Sequence, residues 1–134
     1  MKFEDLRIGM FEEVGKTITE ADVVNYAGLS LDINPIHLNN EYAKNSIFKE
    51  RIVHGMLTSG LISAVLGTKL PGEGSIYLSQ TLKFISPVKI GDTITAKAEI
   101  IDINPEKKII TIKTTCINQN KSIVIDGEAK VLKK

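Results

Sequence analysis

Several features are scarce in this 134-residue chain, and each scarcity removes a class of protein. Cys116 is the only cysteine, so no internal disulfide can form and a secreted, disulfide-stapled scaffold is excluded. Tryptophan is absent, aromatics are few, and no basic run is interleaved with them, which argues against a surface for single-stranded nucleic acid. The formal net charge is +1, leaving no electrostatic footprint for nucleic acid or an anionic membrane. Long apolar runs are also missing. The nearest, Leu57 to Leu66, is broken by Thr58, Ser59, Gly60 and Ser63 and is too short to span a bilayer. Met1 to Gly15 mixes charges through its apolar residues and lacks the apolar centre of a signal peptide, so the expected compartment is the cytoplasm. Two histidines and one cysteine, unclustered in the sequence, make no zinc site.

What is present is ordinary for a globular protein: 43% hydrophobic and 25% charged residues. A chain of this length buries roughly 68% of the surface its unfolded form exposes, enough for a core. One domain over residues 1–134 is expected.

Helix signals fill the first half and strand signals the second. Phe11 to Thr17 reads as a first strand. Thr19 caps a helix with Glu20 and Asp22 in its first turn, and Gly28 reads as its stop. Asn40 caps a short helix reaching about Ser46. The long helix runs from Gly55 to about Lys69; it is apolar nearly all round, the pattern of a buried helix, and Pro71-Gly72 end it. From Ser75 the pattern is β: strands at Ile76–Ile85, Asp92–Ile103, Lys108–Asn118 and Ser122–Leu132. Asn104-Pro105-Glu106-Lys107 and Gln119-Asn120 are the turns between the last three. Ile94, Ala96, Ala98 and Ile100 alternate with Thr93, Thr95, Lys97 and Glu99, so one face is buried. Short connections make the last three strands an antiparallel meander. The expected class is α+β, five antiparallel strands around one central helix.

The chemistry concentrates in Asp32-Ile33-Asn34-Pro35-Ile36-His37. Pro35 fixes its own φ and pushes Asn34 toward extended backbone, so a carboxylate and an imidazole are carried on a stiffened connector, as activation of a water requires. On spacing alone, an Asx-turn at Asp32 and a structural hydrogen bond at His37 explain the same residues. The second constellation is His54-Gly55-Met56, at the start of the long helix. There the first N–H groups have no intrahelical partner and a glycine leaves room for a ligand oxygen, so the Gly55 N–H is a candidate oxyanion donor. His54 reads as structural, Cys116 as an inert small hydrophobe, and Ser63 as a packing residue or part of a pocket wall. No Gly-x-Ser-x-Gly elbow surrounds Ser59 or Ser63.

Together these residues resemble the MaoC-like, (R)-specific enoyl-CoA hydratases of the hot-dog fold. Tyr26 to His37 is similar to that family's hydratase motif, Ile52-Val53-His54-Gly55-Met56 to its second signature, and Gly74 to Leu78 and Phe84 to Val88 with Gly91-Asp92 to its later strands. One departure is Leu31, where many longer members have glycine before the aspartate. The resemblance implies catalysis by Asp32 and His37, which hold and activate one water. That water adds to C3 of a trans-2-enoyl-CoA, giving an (R)-3-hydroxyacyl-CoA. It also implies Gly55 N–H at the thioester carbonyl, support from Asn34 and Ser63, no cofactor or metal, and a homodimer or dimer of dimers. Arg51, Lys83 and Lys89 are the cations open to the CoA phosphates. Three alternatives stand beside this. Residues 55–69 hold no glutamate, which counts against a dehydratase acting on acyl-carrier-protein substrates and against a hot-dog thioesterase. A non-enzymatic acyl-CoA sensor has no need of a water-activating pair.

Overall fold

The computed structural model describes residues 1–134. After a single 3-10 turn at Phe3–Asp5, the elements are β1 (Phe11–Thr17), α1 (Glu20–Ser30), α2 (Pro35–Leu38), α3 (Asn40–Lys44), α4 (Gly55–Thr68), β2 (Ile76–Phe84), β3 (Thr93–Asn104), β4 (Ile109–Ile117) and β5 (Ile123–Leu132). The sheet order is β1-β3-β4-β5-β2, and every neighbouring pair is antiparallel. Helix α4 packs on β1, β3 and β4. This is the hot-dog arrangement of the expected α+β class.

The alternation in β3 produces the inner face: Ile94, Ala96, Ala98 and Ile100 are fully buried. Ala96 and Ala98 are small, so α4 can approach the sheet, while Ile62, Val65 and Leu66 of the helix fill the space against Ile110 and Ile112 of β4. Each fully buried Ile or Val side chain contributes ~1.5–3 kcal/mol of transfer free energy. On the opposite edge, a Cβ at Gly127 would strike the Thr81 carbonyl, so only glycine lets β2 lie this close to β5.

Three local expectations need correction, each for a visible reason. Thr19 does cap α1: its hydroxyl accepts from the Asp22 N–H at 3.1 Å, and the Asp22 carboxylate accepts from the Thr19 N–H at 2.9 Å. The helix passes Gly28, however, and ends at Ser30. There the Ser30 hydroxyl donates to the Tyr26 carbonyl at 2.7 Å and accepts from the Asp32 N–H at 3.1 Å, turning the chain out of the helix. Leu31 follows with φ 66°, its N–H on the Ala27 carbonyl at 2.9 Å. A left-handed non-glycine residue costs roughly 1–2 kcal/mol, and it stands directly before Asp32.

Asn39, not Asn40, caps α3, accepting from the Tyr42 N–H at 3.0 Å. Nor is α4 buried all round. Thr58, Ile62, Val65 and Leu66 face inward, while Met56, Gly60, Ser63 and Gly67 form one exposed stripe at helical spacing.

Candidate active site

The Asp32–His37 segment is more regular than a connector. Asn34 is extended, at φ −51° and ψ 125°, and Pro35 opens the one-turn helix α2. The Asn34 side chain accepts from the Ile36 N–H at 3.1 Å and so caps that turn. Asn34 therefore holds α2 and does not face the cavity. The Asx-turn reading is present as well, because Asp32 Oδ1 accepts from the Asn34 N–H at 3.4 Å. Turn chemistry and site chemistry use the same residues.

Helix α2 carries His37 inward, where it is buried. Its Nδ1 lies 2.7 Å from the Ile52 carbonyl oxygen. A carbonyl only accepts, so Nδ1 carries the proton and Nε2 keeps its lone pair. Burial lowers the His37 pKa below the usual 6.5, opposed by the Ile52 hydrogen bond and aided by the neighbouring His54. His37 is therefore set up as an imidazole base at neutral pH.

His54 supports it from below. Its ring stacks on His37 with centroids 3.8 Å apart and meets Tyr26 edge-on at 4.7 Å. Its Nε2 donates to the Asp32 main-chain carbonyl at 2.9 Å. The imidazole that ends the α4 approach thus holds the backbone of Asp32 and the ring of His37 together, which is the structural role its position suggested. The two histidines, apart in the sequence, are in contact in the fold. Asp32, His37 and His54 bring potential ligand atoms within 4.8 Å of one another. The geometry does not fit one ion. A metal sits near the plane of each imidazole that binds it, about 2.0–2.1 Å from nitrogen, and rings stacked at 3.8 Å with 29° between their planes share no such point.

Both residues open onto a cavity of about 440 Å³. Asp32 and His37 stand at its polar side, and Phe48, Phe84, Ile85, Val88 and Val124 are among its apolar walls. Gly55, the first residue of α4, also lines it. The Leu57 and Thr58 N–H groups return to the His54 carbonyl at 3.1 and 3.2 Å, and the Gly55 N–H has no acceptor within the helix. Phe84 lies across this helix start: a Cβ at position 55 would come 2.5 Å from Phe84 Cε1. The aromatic wall by itself favours a glycine at this position.

The remaining candidates divide. Ser63 lies outside the cavity, exposed on α4 with Gly60 and Gly67. The hydroxyl that α4 does present to the cavity is Thr58, fully buried and without a hydrogen-bond partner. The sequence treated Thr58 only as an interruption of an apolar run. Among the three cations, Arg51 turns inward, Lys89 pairs with Glu50 at 3.3 Å, and Lys83 borders a separate polar groove with Lys113, Asp126 and Glu128. Cys116 is buried in β4, and burial pushes its thiol up to about 12, so it stays protonated and inert. No helix is long and apolar enough to cross a membrane.

Known proteins share this fold and much of this sequence. Residues 9–121 match the family model of the MaoC like domain. An (R)-specific enoyl-CoA hydratase of Rhodospirillum rubrum is 53% identical over 130 residues, covering 97% of this chain and 90% of the relative. A 3-hydroxybutyryl-CoA dehydratase of Methylorubrum extorquens is 48% identical, covering 96% of this chain and 82% of its own length. The solved structure of an (R)-hydratase from A. caviae involved in PHA biosynthesis superposes with a TM-score of 0.95 at 40% identity, over 98% of this chain and 99% of that one. With a family match across most of its length and a hot-dog sheet closed on α4, the chain belongs to the MaoC-like domain family.

Proposed function

We propose that this protein is an (R)-specific enoyl-CoA hydratase, adding water reversibly to trans-2-enoyl-CoA to give (R)-3-hydroxyacyl-CoA. The observation that carries the reading is convergence: the His37 imidazole, the Asp32 carboxylate and the free helix start at Gly55 meet at one apolar cavity. The relatives named above support the activity and its stereochemistry.

The residues divide the chemistry as follows. Asp32 and His37 Nε2 hold one water. As its oxygen bonds to C3 of the enoyl chain, His37 accepts a proton, and the pair returns a proton to C2 on the same face. The C2–C3 double bond is consumed, and the enzyme ends in its starting protonation state. The thioester carbonyl accepts from the Gly55 N–H, which stabilises the enolate-like charge as it develops. Positioned acid–base groups are typically worth about 10²–10⁴ in rate, and an oxyanion donor on the order of 10²–10³. Every catalytic group in this scheme comes from the chain itself, with no cofactor.

The catalytic unit in this reading is a homodimer. Strand β2 is a sheet edge, and Ile76, Tyr77, Leu78 and Phe84 leave large apolar surfaces exposed along it. The exposed stripe of Met56, Gly60, Ser63 and Gly67 on α4 is a second surface that a partner would cover. Its place is the cytoplasm, where CoA thioesters are made and consumed.

The test is loss of the enoyl chromophore of crotonyl-CoA with chiral analysis of the product, run beside the same acyl group on acyl carrier protein. Formation of the (R) product from the CoA thioester, abolished in His37→Ala, is expected. An (S) product, CoA release without hydration, or turnover confined to the carrier-protein thioester would each overturn the reading. Sedimentation equilibrium should return twice the mass of one chain, or four times for a dimer of dimers.

A further inference from the structure

We infer that Arg51, with Glu20, is a positioning residue for His37: a guanidinium clamp that fixes the catalytic base by its main chain while the next residue fixes its ring. The inference rests on the hydratase reading above. Arg51 and Ile52 are consecutive residues of the segment leading into α4, and between them they hold His37 at two points and its neighbour Ile36 at a third. Arg51 Nε donates to the His37 carbonyl at 2.6 Å. The Ile52 N–H donates to the neighbouring Ile36 carbonyl at 3.2 Å, and the Ile52 carbonyl accepts from His37 Nδ1 at 2.7 Å. The strap is itself anchored, with Ile52 bridged to Lys89 and the Val53 N–H on the Val88 carbonyl at 2.7 Å. On its far side, Arg51 Nη1 meets Glu20 Oε2 at 2.9 Å. Glu20 is the first residue of α1, so one side chain ties the start of α1 to the end of α2.

The need for such a clamp follows from the size of α2. Four residues make a single turn, which has none of the cooperativity that holds a longer helix in place, and its last carbonyls have no helical partners. A cation at that end satisfies one of them and suits the local dipole. The direction of the His37 ring is thus set from outside the turn that carries it. A planar guanidinium serves a carbonyl through one N–H and a carboxylate through another in a fixed fork; lysine keeps the charge and loses the fork. The side chain's exposure is 10%, against 57% for Glu20, so the inner contact is the dry one and the outer pair is half in water. Glu20 aims the guanidinium, and Arg51 Nε does the positioning.

The experiment compares wild-type protein with Arg51→Lys and Glu20→Gln on crotonyl-CoA. It also follows the His37 Nδ1–H by proton–nitrogen NMR, since a proton held by a carbonyl at this distance exchanges slowly. Arg51→Lys should lower kcat about tenfold to a hundredfold, because a displacement near 1 Å costs that much in a positioned site. KM should stay within about twofold, and the His37 Nδ1–H signal should broaden away. Glu20→Gln should lower kcat about threefold, as expected for a half-exposed ion pair. Wild-type kcat in Arg51→Lys, or an intact Nδ1–H signal, overturns the inference, as does a loss confined to KM or to the melting temperature. Should Arg51→Lys not fold, Glu20→Gln decides alone: a lowered kcat with a weakened Nδ1–H signal supports the clamp, and wild-type values overturn it. An inert wild-type protein instead refutes the hydratase reading, and the NMR comparison still judges the clamp.

Discussion

Replacing Gly55 by alanine separates a glycine kept for folding from one kept for catalysis. A methyl at position 55 would lie 2.5 Å from Phe84 Cε1, 2.7 Å from Cδ1 and 3.2 Å from Cζ. Carbon–carbon contacts settle near 3.5–4.0 Å, so the ring must withdraw by about 1 Å. Phe84 is half exposed within one chain, so the core does not oppose the shift, which puts the overpacking penalty at the low end of its usual range, about 1 kcal/mol. Alanine at a helical position returns ~0.4–1 kcal/mol by restricting the unfolded chain. The net change in stability is then under about 1 kcal/mol, a shift of a few degrees in Tm.

Activity should respond very differently. If the Gly55 N–H holds the thioester oxygen, a methyl on the same residue obstructs that approach, and the loss should be on the order of 10²–10³ in kcat. The assay is crotonyl-CoA hydration beside a thermal melt. The double variant Gly55→Ala/Phe84→Ala isolates the cause, because removing the ring removes the clash but not the obstruction. Activity is expected to stay about a hundredfold below that of Phe84→Ala alone. Recovery to the Phe84→Ala level, or wild-type kcat in the single variant, would refute the oxyanion role and leave Gly55 as a residue that accommodates Phe84.

Three further outcomes test the rest of the site. Asp32→Asn should cost about 10²–10⁴ in rate, yet Asp32 is exposed, so its urea midpoint should move by less than about 0.5 kcal/mol equivalent; a large loss of stability would make the residue structural. Because the folded pKa of His37 lies below 6.5, the unfolded chain binds the proton more readily. This group's stability contribution is therefore full above 6.5 and falls as pH drops toward the folded pKa. The acid limb of kcat/KM should likewise lie below 6.5, and a limb above 6.5 would contradict a desolvated base. Thr58→Val exchanges a buried, unpartnered hydroxyl for a methyl of similar size. It should raise stability by about 1 kcal/mol, since an unsatisfied buried group costs ~1–3 kcal/mol, and a destabilised variant would show that the hydroxyl is bonded after all.

Much of this was legible along the chain because local chemistry is periodic or adjacent. The buried face of β3 follows from strict alternation, and β1 begins and ends where its pattern does. Thr19 and Asp22 are three residues apart, within reach of each other's main chain, so the cap needed no tertiary information. Asp32 and Asn34 likewise bond the main chain two residues on, and Pro35 opens α2 directly after them. The misplaced end of α1 is instructive: Gly28 is a plausible stop, but Ser30 has a hydroxyl that bonds backward and forward at once, and that bond won.

The fold class, the stiffened acid–base segment and the free N–H groups of a helix starting in glycine could all be read along the chain. The first follows from the order of helix and strand patterns, and the other two from backbone geometry within a few residues. The sequence did not determine which way α4 turns, because apolar residues spread round the whole helix leave no stripe to orient it. Only packing against β1, β3 and β4 brought Thr58 to the cavity and left Ser63 outside. The same holds for His54 beneath His37, Phe84 across Gly55, and Arg51 on the His37 carbonyl. Those partners lie 14 to 29 residues apart in the chain, and no periodicity extends that far; the sheet and its helix had to close before they could meet.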